Sequence, residues 1–335
     1  MNNRKKALIT GIAGQDGSYL AELLLSKGYE VHGIVRRTAV EDMTHKLRNL
    51  IGIIDKIKLH TASLDNHLSL YKVIREVQPD ECYHLAASSF VSYSFDDEFS
   101  IVVNNFTGTH YLLASIKEVI PSCRIYFAGS SEMFGHASVT PQNESTPFKP
   151  RSIYGIAKLS SHHLVSNYRD RYGLFACTGI LYNHESPRRG FEFVTRKITS
   201  TAAQIKLGLQ NKLSLGNLDA LRDWGYAPEY VHAMWLMLQQ PSPDDYVIAT
   251  GETHSVRDFV KYAFECVGLD YREFVNIDKL LYRESEMVPL CGDSSKAQSK
   301  LQWKRAKGLN DIIEEMVEHD LQLLQKKGEK HSMLS

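Results

Sequence analysis

The sequence predicts an α/β protein, with a doubly wound, largely parallel sheet and a smaller C-terminal α/β lobe beside it. Three observations predict this. Short β-type runs alternate with helix-length stretches through the first half of the chain, and strands separated by helices imply βαβ crossovers, because parallel neighbours need a long return connection. The first run leads directly into a glycine-spaced turn and then a helical stretch, the order a phosphate-binding turn requires. After about Leu181 the alternation gives way to helical patterns broken by irregular polar stretches, which marks a second, smaller unit.

The strands expected in order are Ala7–Thr10, Glu30–Val35, Lys56–Leu59, Cys82–Leu85 and Arg124–Ala128. Apolar residues at helical spacing lie between them: Tyr19, Leu20, Leu23 and Leu24 after the first strand, and Tyr111, Leu112, Ala114 and Ile116 before the fifth. Later helical patterns run Glu229–Gln239, Val256–Val267 and Leu309–Gln325, and Pro187-Arg188-Arg189-Gly190 reads as a loop. The division expected is a Rossmann-type dinucleotide domain over 1–181 and a lobe over 182–335, with some later segments returning to the sheet. The crevice beyond the C-terminal strand edges is where such a sheet binds ligands.

Composition narrows the partners. Lys+Arg and Asp+Glu both count 39, so the formal charge is zero and nothing draws the chain to a polyanion over long range. At 335 residues and 43% hydrophobic content, the chain can bury one large core and a second smaller one. The five cysteines are scattered and never fall at metal-ligand spacing, a usage that fits a reducing compartment. The start, MNNRKKALITG, has only a strand-length apolar run, unlike a signal peptide, and no stretch is long enough to span a bilayer. A cytoplasmic protein with no nucleic-acid or membrane partner is expected. No metal site is expected either: His162 and His163 are adjacent and so point to different helix faces, and His184 has no second ligand four residues on.

Glycines stand at every third position in Gly11-Ile12-Ala13-Gly14-Gln15-Asp16-Gly17, between a strand and the helical Ser18-Tyr19-Leu20-Ala21-Glu22. Glycine permits the tight turn and lets backbone N–H groups approach a pyrophosphate at the helix N-terminus. The second strand ends in Arg36-Arg37, where an NAD-binding protein usually places an acid. Two guanidinium forks suit a 2′-phosphate and point to NADP; the alternative is a solvated basic pair at a strand end.

Tyr154 and Lys158 are four residues apart in a helical stretch, hence on one face. An ammonium there favours phenolate and makes the tyrosine a base toward a hydroxyl, although the same spacing also occurs in plain surface pairs. The strand Ile125-Tyr126-Phe127-Ala128 runs into Gly129-Ser130-Ser131-Glu132, a hydroxyl-rich turn at the sheet's chemical edge. Ser130 is placed to hydrogen-bond a substrate hydroxyl or the Tyr154 oxygen. Glu132 adds a carboxylate that simple hydride transfer does not require, or else it is a helix-start acid in water.

Over nearly the whole chain the sequence resembles the extended short-chain dehydrogenase/reductase family, and within it the GDP-mannose 4,6-dehydratases. The segments carrying the resemblance are Gly14-Gln15-Asp16-Gly17-Ser18-Tyr19-Leu20-Ala21-Glu22-Leu23-Leu24, Asn183-His184-Glu185-Ser186-Pro187-Arg188-Arg189-Gly190, Val194-Thr195-Arg196-Lys197-Ile198 and Leu215-Gly216-Asn217-Leu218-Asp219-Ala220-Leu221-Arg222-Asp223-Trp224-Gly225. The resemblance implies a dehydration through bound NADP, with Tyr154 taking the C4 hydroxyl proton, Glu132 the C5 proton, Ser130 orienting the hydroxyl and Lys158 tuning Tyr154. It further implies cofactor contacts from Leu64, Leu85, Ala86 and His184 beside the glycine turn, Arg36 and Arg37. For a GDP-linked sugar it implies Ser88, Asn183, Val194, Thr195, Lys197, Arg222, Arg283 and Glu286. A homodimer or homotetramer is implied as well, with Thr38–Arg48 a candidate to reach a neighbouring subunit. The chain departs from the family's usual Thr at Ser130, polar residue at Gly129, Gln at Ser88, Asn at His84 and Pro at Ile153. Ser130 keeps the hydroxyl that the chemistry needs, whereas the altered Ser88 region leaves a GDP-manno-heptose substrate open. A GDP-sugar 4-reductase or epimerase, which has no need of Glu132, and a non-catalytic NADP-binding protein are the other readings.

Overall fold

A computed structural model describes residues 4–88, 97–281 and 289–332. Thirteen strands are present among them. They are β1 (Lys6–Thr10), β2 (Glu30–Val35), β3 (Lys58–Thr61), β4 (Glu81–His84), β5 (Arg124–Ala128), β6 (Ala176–Leu181), β7 (Asn183–Glu185), β8 (Leu213–Leu215), β9 (Leu221–Arg222), β10 (Trp224–Tyr226), β11 (Tyr246–Ile248), β12 (His254–Ser255) and β13 (Val275–Ile277). Seven of them form one sheet in the order β11-β6-β5-β4-β1-β2-β3, every pair parallel. The chain runs outward one way from β1 and the other way from β4, so their adjacent C-terminal ends form the switch point at which a crevice opens.

The principal helices are α1 (Gln15–Ser26), α2 (Arg37–Val40), α3 (Met43–Lys46), α4 (His67–Val77), α5 (Glu98–Val102), α6 (Gly108–Val119), α7 (Ile153–Tyr172), α8 (Val194–Lys206), α9 (Ala227–Leu238), α10 (Val256–Glu265), α11 (Ser295–Leu301) and α12 (Leu309–Ser332). A π-helical turn, Val103–Thr107, joins α5 to α6. One face of the sheet is covered by α1, α9 and α11, which bury Leu20, Leu24, Met234, Met237 and Leu301. The other is covered by α4, α6 and α7, through Leu70, Ile74, Leu112, Ile116 and Val165. A separate core, with Ile198, Phe259, Phe264 and Val317, unites α8, α10 and α12.

Several boundaries move from the sequence expectation, those of β3 and β4 among them. Ile54–Lys56 forms a 3₁₀ turn closed by Lys56 N–H to Ile53 O, so β3 starts at Lys58 rather than Lys56. β4 ends at His84, and Leu85 already turns out toward the crevice. Segments after residue 181 serve both units: β11 pairs with β6 in the main sheet and α9 packs on α1. The lobe's own strands are only two or three residues long, too short to register as a period of two. No helix among the described residues is long and apolar enough to cross a membrane.

Candidate active site

The C-terminal ends of β1, β2, β4, β5 and β6 open into a cleft of about 1970 Å³, closed on its far side by α8 and β9. On its wall Gly14 N–H donates to Gly11 O at 3.0 Å, and Gly14 ends the turn as the N-cap of α1 without a side-chain cap. The first-turn N–H groups of α1 are thereby left for a ligand anion. Gly11 has φ +74°, and a Cβ there would lie 2.8 Å from the backbone N of Ala86. The turn thus tolerates no side chain at that position and brings bare backbone to the cleft floor. Arg36, at the end of β2, lines the same cleft with Lys46 and Arg48, while Leu64, Leu85 and Ala86 supply apolar wall. An uncapped helix N-terminus, a side-chain-free turn and a cationic end fit a dinucleotide phosphate chain.

Beside that turn stand Ser130, Glu132, Tyr154 and Lys158. Ser152 caps α7 by accepting from Gly155 N–H at 3.1 Å, which fixes Tyr154 and Lys158 in its first two turns. A Cβ at Gly155 would lie 2.6 Å from Glu132 O; the bare glycine therefore lets α7 approach the turn after β5, drawing Tyr154 and Glu132 together. Ser130 Oγ accepts from Glu132 N–H at 3.2 Å and hydrogen-bonds Tyr154. Burial pushes the Tyr154 phenol up to about 12, against the Ser130 hydrogen bond, and the Glu132 charge adds to the rise. Lys158 is buried, donates to Ala128 O at 2.8 Å and is pushed down to about 7 by desolvation. Its Nζ lies 5.8 Å from the Tyr154 ring centroid. The arrangement can move a proton between a substrate hydroxyl and Tyr154, and a second one at Glu132.

The lobe is fastened to the cofactor turn by the segment after β6. His184 Nε2 meets Asp16 Oδ2 at 2.9 Å, and its Nδ1 donates to Tyr182 O at 2.7 Å. Gln15 donates to His184 O and accepts from Ser186 Oγ, while Arg188 reaches Ser18 and Glu22 on α1. Burial pushes the Asp16 carboxyl up, but the charge and hydrogen bond of His184 outweigh it and hold it below its ordinary value. Burial likewise depresses His184, and Asp16 reverses that, so the imidazole lies above its ordinary value.

A family model described as GDP-mannose 4,6 dehydratase matches residues 8–316. The chain belongs to the GDP-mannose 4,6-dehydratase family. It is similar to GDP-mannose 4,6 dehydratase 2 of Arabidopsis thaliana, at 51% identity over 96% of this chain and 88% of that protein. The GDP-mannose 4,6 dehydratase of Cricetulus griseus is 48% identical over 96% of this chain and 92% of its own length. The Vibrio cholerae protein of that name is 42% identical over 99% and 96%. Among solved structures, a UDP-glucose 4-epimerase of Thermotoga maritima shares the fold with a TM-score of 0.84 at 23% identity, over 95% of this chain and 99% of that one. A dTDP-glucose 4,6-dehydratase of Streptomyces venezuelae does so with a TM-score of 0.80 at 21% identity, over 94% and 96%.

In this member of the dehydratase family the cleft brings together Gly11, Gly14, Gln15, Asp16, Gly17, Arg36, Leu64, Leu85, Ala86, Ser88, Ser130, Glu132, Tyr154, Lys158, Asn183, His184, Val194, Thr195, Lys197 and Arg222. Arg37 is not among the lining residues: it is strongly exposed and pairs with Glu41 at 3.3 Å along α2. The Thr195 hydroxyl donates to buried Glu185 at 2.5 Å, and Lys197 Nζ to Ser214 O at 2.7 Å. Arg283 and Glu286 lie outside the described residues.

Arg189, which the sequence shows only as part of a loop, also lines the cleft. Its guanidinium stacks 3.6 Å from the Phe193 centroid, its Nε lies 3.2 Å from Glu185, and its charge reaches Asp16, His184 and Tyr154. Glu185 four residues earlier was the available signal, but only the fold shows that acid to be buried.

Since His184 is raised in the folded state, its contribution to stability is whole below the ordinary histidine value and is lost as pH rises through the folded one. Asp16 behaves oppositely, its contribution fading only in acid. The melting temperature is therefore expected to fall on going from pH 6 to pH 9. Asp16→Asn should cost roughly 1–3 kcal/mol at pH 6, between the exposed and buried limits for an ion pair, and should flatten that slope. Thermal melts of both proteins across the range check this, and an unchanged slope in the variant assigns the pH dependence elsewhere.

Proposed function

We propose that this chain is a GDP-mannose 4,6-dehydratase that converts GDP-mannose to GDP-4-keto-6-deoxymannose. The observation carrying this reading is the convergence of Tyr154, Ser130 and Glu132 on one wall of a cleft that has a dinucleotide turn at one end and a cationic lobe at the other. A reductase or epimerase needs the tyrosine alone; a second proton-transfer group beside it belongs to an elimination. Gly11, Gly14, Gly17, Arg36, Leu64, Leu85 and Ala86 would hold a nicotinamide dinucleotide, which when bound supplies the acceptor and later the donor of the C4-to-C6 hydrogen. Tyr154 takes the C4 hydroxyl proton, with Ser130 orienting that hydroxyl and the Lys158 ammonium favouring phenolate. The ketone so formed acidifies C5–H, and Glu132 removes that proton. The resulting carboxylic acid hands it to the departing C6 hydroxyl, which leaves as water; as hydrogen is returned to C6, Glu132 relays a solvent proton to C5 while Tyr154 releases the C4 proton to solvent. Asn183, Val194, Thr195, Lys197 and Arg222 would take the GDP portion, the diphosphate requiring cations or donors in a partly dry cleft. Incubation with GDP-mannose, with GDP-manno-heptose alongside, is expected to give a product lighter by one water by mass spectrometry. Intact GDP-mannose after prolonged incubation would overturn the reading.

The dinucleotide is NADP in this reading, supported by Arg36 in the cleft wall with Lys46 and Arg48 at the same end. Arg36→Ala should weaken NADP binding by roughly 1.5–3 kcal/mol, the worth of a charge-assisted phosphate contact. Arg37→Ala should leave it unchanged, because Arg37 is engaged with Glu41. Calorimetric titration with both dinucleotides tests this, and equal wild-type affinities for NADP and NAD would refute the preference. The chain would act as a homodimer or homotetramer, a reading that exposed Phe99 and Ile156 support and light scattering checks.

A further inference from the structure

His84 is almost fully buried at the end of β4, opposite Thr10 of β1 in the sheet, and the reaction as derived makes no use of it. Its two ring nitrogens have one partner each: Nδ1 lies 2.8 Å from Thr10 Oγ1 and Nε2 lies 3.1 Å from Thr109 Oγ1. The remaining bonds of those hydroxyls decide the proton positions. Thr109 Oγ1 donates its only hydrogen to Asn105 O at 2.6 Å, so toward the ring it accepts and Nε2 carries the proton. Thr10 Oγ1 accepts Ala86 N–H at 3.1 Å, and its own hydrogen goes to the bare Nδ1. Burial pushes the imidazole down to about 3, with the Lys158 charge adding to the effect, so the ring stays neutral at any working pH.

Both ends of this chain of hydrogen bonds touch the cleft. At one end Ala86, held by Thr10, is the residue whose backbone N abuts Gly11 in the cofactor turn. At the other, Asn105 is buried in the π-helical turn and grips Ser88 twice, its Oδ1 accepting Ser88 N–H at 2.9 Å and its Nδ2 donating to Ser88 O at 3.2 Å. Asn105 O also accepts from Ser161 Oγ of α7 at 2.9 Å, the helix that carries Tyr154 and Lys158. The widened turn aims a backbone carbonyl at two hydroxyls while its side chain serves the cleft wall.

We propose that His84 is a positioning residue for the reaction: as a neutral imidazole accepting from Thr10 and donating to Thr109, it ties the cofactor turn to the Ala86–Ser88 wall. A direction-specific bridge is required there, because a residue that only donates leaves the Thr10 hydroxyl hydrogen without an acceptor, and one that only accepts leaves the Thr109 oxygen without a donor, in a dry site. The inference rests on the dehydratase reading only for the identity of the sugar nucleotide. Its cofactor readout is independent of that reading.

The test uses the intact protein and the variants His84→Leu, His84→Asn and Thr109→Val. His84→Leu keeps bulk and loses both bonds, whereas an asparagine amide offers one acceptor and one donor in the same sense. In His84→Leu the Kd for NADP and the KM for GDP-mannose are each expected to rise by about tenfold, the loss of one to two neutral hydrogen bonds, with kcat nearly unchanged. His84→Asn should restore both to within about threefold. In nitrogen-edited NMR of wild type, the His84 ring should show a bare Nδ1 and a protonated Nε2, unaltered from pH 6 to pH 8. Wild-type Kd and KM in a folded His84→Leu protein, or a proton on Nδ1, would overturn the assignment. If His84→Leu does not fold, Thr109→Val decides: raised Kd and KM support the assignment, and a lowered melting temperature with unchanged constants refutes it. Failure of wild type to dehydrate GDP-mannose while the Kd shifts hold would sink the function and leave His84's role standing.

Discussion

Glu132→Gln is expected to slow dehydration of GDP-mannose by roughly two to four orders of magnitude, the usual worth of a positioned acid–base group, while oxidation at C4 survives. The side chain sits on the 3₁₀ turn after β5, with its backbone N–H on Ser130 Oγ and its charge felt by Tyr154. Glutamine keeps the size and the backbone bond, so the turn and Ser130 should stay in place. Nothing that Tyr154 does depends on a proton at C5, so the variant should still show the near-ultraviolet absorbance of reduced dinucleotide on addition of substrate. Solvent deuterium should enter C5 of the wild-type product and stay out of substrate recovered from the variant. A Glu132→Gln protein that dehydrates at the wild-type rate would make Glu132 a turn residue, and the choice between elimination and plain epimerisation would lose its chemical support.

How far the site could be read in advance depended on whether local sequence controlled the contact. The glycine turn, the first two strands and the Tyr154–Lys158 spacing are legible because each is set within one turn or one βα unit. Arg36 and Arg37 show the limit. Adjacent residues entering a helix point in different directions, so one reaches the cleft and the other reaches Glu41, and sequence alone gives them equal claims. His184 was legible as a cleft residue, but its ring nitrogens are taken by Asp16 and Tyr182, which tie the glycine turn to the segment after β6. That partnership spans 168 positions and has no local signature. Arg189 was missed for the same reason, and the lobe strands because two or three residues cannot show alternation. The Gly155 contact with Glu132 joins the Tyr154–Lys158 helix to the turn after β5, which the sequence displays only as separate patterns.

Tyr154→Phe is expected to lower turnover by at least roughly two to four orders of magnitude, because without the phenol oxygen the C4 hydroxyl keeps its proton and the later steps never begin. The ring is buried with Ile101 and Ala157, and phenylalanine fills the same space, so affinity for NADP and for GDP-mannose should change little. Loss therefore falls on kcat rather than KM. Burial raises the wild-type phenol to about 12 and lowers Lys158 to about 7, so the tyrosine of the unliganded pair is neutral at neutral pH and the lysine gives up its charge far more readily than a solvated one. A base so raised is more often deprotonated as pH climbs, and kcat/KM should rise with pH on its acid limb until Lys158 loses the charge that favours phenolate. Ser130 donates the remaining stabilisation, and Ser130→Ala should move that limb to higher pH without abolishing it. The residual rate of Tyr154→Phe should show no such limb. A Tyr154→Phe enzyme that keeps the wild-type pH profile at reduced amplitude would mean that another group takes the C4 proton, with Tyr154 only packing beside it.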